Sequence, residues 1–155
     1  MSIVFNKGVN VLEVLQKHLL NITKANGFNI AIKNCIIYDV LRFEKLKNEL
    51  QLPAVLLTAE EIFEELTNDE YRSVMTVQAF VEYKPENQNN GVVTDYSKIR
   101  SAIAEQLNTN ECLGLSYVEK AYVSSAQHPL YLIDRSTFSF LMTIDIQYYF
   151  CSSDP

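Results

Sequence analysis

The stretch from Ser136 to Phe150 leaves this chain the least freedom. Phe138, Phe140, Met142, Ile144, Ile146 and Tyr148 alternate there with Thr137, Ser139, Thr143, Asp145 and Gln147. A period of two sends successive side chains to opposite sides of a strand, so one face is apolar and the other polar. A strand of this kind must cover one face and can leave the other wet, which suits an antiparallel sheet. Tyr71 to Lys84 repeats the pattern, with Met75, Val77, Ala79, Val81 and Tyr83 against Thr76, Gln78, Glu82 and Lys84.

Two amphipathic segments can provide the cover. Between about Asn10 and Asn26, Leu12, Leu15, Leu19 and Ile22 fall at helical spacing. Asn10 with Glu13 has the form of a capping box, Val9 and Val14 could staple the start, and Gly27 is a natural stop. Tyr96, Ile99, Ile103 and Leu107 make the matching stripe of a second helix from about Thr94 to Asn108. Shorter segments complete the order. Phe28–Ile32 and Cys35–Leu41 read as extended, Arg42–Gln51 as a loop or single helical turn, and Leu52–Leu57 as a strand entered through Pro53. Pro85–Gly91 reads as a turn, and Leu115–Ser125 as a strand broken by Gln127-His128-Pro129. Two helices are too few, and the connections too short, for a doubly wound parallel sheet. The expected fold is therefore α+β: a mostly antiparallel sheet with two helices packed on one face. It forms a single domain over residues 1–155, with a short flexible tail from 151 to 155.

Net charge is −6, and one segment carries all of it. Glu60, Glu61, Glu64, Glu65, Asp69 and Glu70 lie between Thr58 and Glu70 without a Lys or Arg, and the remaining acids and bases balance. A short helix capped by Thr58 and Glu61, with Ile62, Phe63 and Leu66 inward, and a hairpin arm both fit this segment. The block reads either as a solvated face or as a patch that meets a basic partner or repels DNA. The broad basic footprint of a nucleic-acid binder is absent. Hydrophobic residues at 48% and no long apolar run exclude both a disordered chain and a helical membrane span. The start, Met1–Phe5, has no basic region or long apolar core of a signal peptide, so synthesis in a cytoplasm is expected. Cys35, Cys112 and Cys151 are odd in number, far apart and expected to be reduced thiols.

Catalytic signatures are sparse. His18 and His128 have no Cys, Asp or Glu at ligand spacing, and the four glycines are too isolated to cradle phosphate. On a helix Glu60/Glu64 and Glu61/Glu65 would be adjacent pairs, yet nothing fixes a cation geometry, so no metal or cofactor is assigned. Glu82-Tyr83-Lys84 has the acid-x-lysine form that ends a metal-dependent nuclease motif. That motif needs a further acid from a neighbouring strand, for which only Asp39 and Asp69 are near in sequence. The default expectation is a protein that is not an enzyme. Leu141 and Tyr149 fall on the polar side of the last strand and mark a candidate subunit interface.

Leu52-Pro53-Ala54-Val55-Leu56-Leu57, followed by acids and set in this order of elements, resembles the tail-terminator and related neck proteins of long-tailed bacteriophages and contractile injection machines. The resemblance runs from about Val9 to Phe150, and Arg42–Gln51 has no clear counterpart in it. It implies a structural virion protein, assembled in the host cytoplasm, that forms a homo-hexameric ring and caps the tail tube. Such a ring ends tube polymerisation and gives the head connector or stopper a docking surface. The implied partners are further copies of the chain, the tube protein and the connector, with DNA as passing cargo and no membrane. The acidic segment would then face the lumen or the tube. Other neck or head-completion proteins of the same fold share these features.

Overall fold

The structure is a computed structural model that describes residues 2–37, 51–85, 91–133 and 136–151, with side chains from Lys7 onward. Helix α1 spans Ser2–Leu20 and α2 spans Gly91–Thr109. The strands are β1 (Asn34–Ile37), β2 (Ala54–Glu65), β3 (Glu70–Tyr83), β4 (Val118–Ala126), β5 (Leu130–Leu132) and β6 (Thr137–Cys151). They form one sheet in the order β1-β2-β3-β6-β4, with β5 pairing alongside β6. Among the described residues only β1 and β2 run parallel; the other pairings are antiparallel. The expected α+β architecture, a mostly antiparallel sheet with two helices on one face, is the one observed.

Alternation decides which face the helices cover. Met75, Val77, Ala79 and Val81 of β3 and Phe140, Met142, Ile144 and Ile146 of β6 are buried with Leu12, Leu15 and Leu19 of α1 and Ile99, Ile103 and Leu107 of α2. The intervening residues, such as Thr76, Gln78, Thr143 and Asp145, are half-buried on the second face. A smaller apolar cluster sits on that face where β1 joins β2, around Ala54, Leu56 and Phe80. Among the described residues no helix is long and apolar enough to cross a membrane.

Several local expectations are corrected. Helix α1 begins eight residues before Asn10, so the Asn10–Glu13 capping box is not used. Asn10 lies inside the helix and donates to the Tyr117 hydroxyl at 2.5 Å. Val9, at 47% exposure, staples nothing. The helix stops at Leu20, and a separate turn follows. Phe28 N–H donates to Thr23 O at 3.2 Å and Gly27 N–H to Lys24 O at 3.1 Å, with Gly27 at φ +92°. These bonds form a Schellman motif, so Gly27 is a stop as expected, but for the turn rather than the helix. Gly27→Ala should cost about 1–2 kcal/mol from the left-handed backbone alone, since the space around it is open. A lower urea midpoint with an unchanged m-value would report that loss.

Phe28–Ile32 is not a strand, because its ends bond back to the preceding turn: Phe28 N–H to Thr23 O and Ile32 N–H to Ile22 O. The acidic segment is not a helix. Residues 58–65 continue β2, paired in unbroken register with Tyr71–Gln78 of β3, so the hairpin alternative holds. The long cross-strand pairing overrides the helical preference of the Ala-Glu-Glu composition. Leu115–Tyr117 precede β4 rather than belonging to it, and β5 was not anticipated. The expected tail begins one residue later than 151, since Cys151 ends β6 paired with Glu70; the expected loop over residues 42–50, the strand residues 38–41, turn residues 86–90 and tail residues 152–155 lie outside the described residues.

Candidate interaction surface

The hairpin of β2 and β3 closes through residues 66–69. Leu66 N–H donates to Glu70 O at 2.8 Å, and Glu70 N–H donates to Thr67 Oγ1 at 3.2 Å. The six sequence-selected acids therefore run along the hairpin arm, from Glu60, which pairs with Thr76 in mid-strand, to the turn. The strand period nevertheless divides them. Glu60 and Glu64 share the second face with Ile62, Glu61 and Glu65 share the helix face with Phe63, and Asp69 and Glu70 border the turn. The adjacent pairs that a helix would give are lost, since residues four apart on a strand are separated by about 13 Å.

Glu61 is committed to the fold. Its Oε1 accepts the hydroxyls of Tyr148 at 2.5 Å and Ser73 at 2.8 Å, and both donors are fully buried. Gly8 of α1 lies directly above. A Cβ at that position would stand 2.8 Å from Glu61 Oε2 and 3.2 Å from the Tyr148 hydroxyl. A helix interior normally disfavours glycine, but here it lets α1 settle on the carboxylate. Burial, followed by the hydrogen bond to Glu61, raises the Tyr148 phenol above its ordinary 10.0.

On the second face Arg72 donates to Glu64 directly across the hairpin. Tyr149 stands opposite Arg72 in register and donates to Glu119 Oε2 of β4 at 2.8 Å. That bond is the first cause of a raised Tyr149 pKa. Arg72 is likewise held more firmly protonated, first by its bond to Glu64. Tyr149, at 38% exposure, thus belongs to the surface of the hairpin end. Leu141 does not: it is half-buried, pairs with Phe80 in mid-sheet and lies about 26 Å away along β6, so the two residues are not one patch.

The expectation that Ile62, Phe63 and Leu66 point inward is corrected: on the hairpin arm no described helix covers them. Ile62 is 74% exposed, Phe63 48% and Leu66 44%. Phe63 meets Phe150 edge-on at 5.5 Å, and Tyr71 stacks on Phe150 at 5.2 Å, so Phe63 is held in place. Continuing the alternation of Val55 and Leu57 through Ala59, Glu61 and Phe63 would have put the half-buried acid and the exposed ring on the helix face.

The acid-x-lysine pair does not form a metal centre here. Glu82 is 2% exposed, and Lys84 lies beyond the end of β3. Asp69 is at the opposite end of that strand, and Asp39 lies outside the described residues. Among the described residues no three His, Cys, Asp or Glu side chains converge on a common point. His18 has a packing role: its Nε2 lies 3.1 Å from Leu113 O, and its own carbonyl accepts Gln106 Nε2 at 2.8 Å, tying α1 to α2. His128 lies beside the Tyr96 ring at 5.9 Å. No protein-family model matches this chain, and no curated protein matches it in sequence.

Proposed function

We propose that this chain is a structural subunit of a phage-type tail neck, acting in the virion as a ring that caps the tail tube. The hairpin arm carries this reading: the exposed side chains of Ile62, Phe63 and Leu66 stand among the exposed acids Glu60, Glu64, Glu65, Asp69 and Glu70. Exposed apolar groups inside a charged rim mark a protein contact rather than a reaction site. The order helix, strands, helix, strands is also that of the tail terminators the sequence resembles. In this role the ring ends tube growth and offers its outer side to the head connector. Its acids repel the phosphates of DNA in transit, so the duplex passes without sticking.

The test is to mix the purified protein with growing tail tubes and image them by negative stain. Caps at tube ends and arrested elongation are expected. Tubes that elongate unchanged and remain bare would exclude the capping role.

A further inference from the structure

A groove opens where the turn after α1 meets the approach to β2. It holds about 460 Å³ and is lined by Leu20 at the end of α1, Thr23 and Lys24 of the turn, residues 30–33, and Leu52 with Pro53. That volume falls in the range of about 300–1,000 Å³ found for small-ligand sites. Leu20 is 37% exposed, and Ile30, Leu52 and Pro53 are half-buried, so the walls are aliphatic. No aromatic side chain lines the groove, and a flat ring would find no stacking partner there. Lys24 and Lys33 are exposed, and no acid is among the lining residues. Neither ammonium group is ion-paired with a described residue.

Other polar groups at the groove are few. Ile32 N–H is bonded to Ile22 O at 3.0 Å and Lys33 N–H to Pro53 O at 2.9 Å, and Pro53 has no N–H to offer. Thr23 Oγ1 accepts Asn26 N–H at 3.2 Å, which leaves its own proton to donate. Besides the two ammonium groups, that hydroxyl is the one side-chain donor among the lining residues. Such a set satisfies a single small anionic group. A phosphate ester or a peptide terminus brings further oxygens or amides, which would stand unpaired against aliphatic walls.

We infer that the groove binds a medium-chain aliphatic monocarboxylate, its head met by Lys24 and Lys33 and its chain laid along Leu20, Ile30, Leu52 and Pro53. Charge and the Thr23 hydroxyl fix the head, and removal of apolar surface from water holds the tail. The site lies apart from the hairpin arm and does not rest on the neck reading.

The test follows the amide resonances of the isotope-labelled full chain as octanoate is added. Shifts should saturate and centre on residues 20–24 and 30–33 and on Leu52. Hexanoate, two methylenes shorter, should bind about five- to fifteenfold more weakly. Octanol, which lacks the charge, should bind about tenfold more weakly than octanoate. Changing both exposed lysines, Lys24→Gln with Lys33→Gln, should weaken octanoate about tenfold and leave the urea midpoint where it was. Octanol binding as tightly as octanoate, or an unchanged affinity in the double variant, overturns the assignment. So do shifts that never saturate, displacement of octanoate by an equal concentration of inorganic phosphate, and tighter binding of an acetylated peptide that ends in leucine.

Discussion

Titrated upward from neutral pH, the protein should hold its stability to about pH 9 and lose it steadily beyond. Three buried groups set this direction. Burial pushes the Cys35 thiol from 9.0 up to about 12. Burial, then the negative charge of Asp95, pushes the Tyr83 phenol from 10.0 up to about 12. Tyr148 is raised above 10.0 by burial and its bond to Glu61. In each case the folded chain keeps a proton that the unfolded chain releases. The contribution is therefore complete below the unfolded pKa and disappears as pH climbs toward the folded one. Each group costs about 1.4 kcal/mol per pH unit inside its window, and Cys35 alone reaches about 4 kcal/mol. Against a total of about 5–15 kcal/mol, the three together remove a large part of the domain's stability. Urea midpoints taken across the alkaline range provide the measurement. Cys35→Ala should delay the onset by about one pH unit, to where the tyrosines begin to titrate. Midpoints that stay level above pH 10 would show that these side chains are hydrated.

Long elements with an unbroken period were legible in the sequence. The alternation of Tyr71–Lys84 and Ser136–Phe150 gave strands whose observed bounds differ by a residue or so. Leu12, Leu15, Leu19 and Ile22, like Tyr96, Ile99, Ile103 and Leu107, are buried as their spacing requires. What failed was local chemistry overruled from a distance. Asn10 resembles a cap, but Gly8 before it is no breaker, because its missing side chain makes room for Glu61. Residues 58–65 carry helix-forming composition, and only their eight-residue partnership with β3 makes them a strand. Strand β5 has three residues, too few for any period, and exists because β6 offers it an edge. The candidate surface was legible to the same extent. Charge located the hairpin end, whereas the division of its acids between two faces depends on pairing across the sheet.

That division separates Glu61 from its neighbours, and its removal should have the larger effect on stability. Glu61→Ala leaves the fully buried hydroxyls of Ser73 and Tyr148 without their acceptor, a loss of about 2–4 kcal/mol. Glu61→Gln keeps an acceptor oxygen in the same place and should cost under about 1 kcal/mol. Glu60→Ala, on an exposed carboxylate of the other face, should change the urea midpoint little. Gly8 supplies the internal control. In the wild-type background Gly8→Ala crowds the carboxylate at 2.8 Å and should destabilise despite better helix propensity. With Glu61→Ala the space opens, and the same change should stabilise by about 0.5–1 kcal/mol. The sign of the Gly8 effect thus depends on Glu61, as expected for two residues in direct contact. If the two substitutions add without coupling, α1 does not rest on this carboxylate, and the network below it is not what seats the helix.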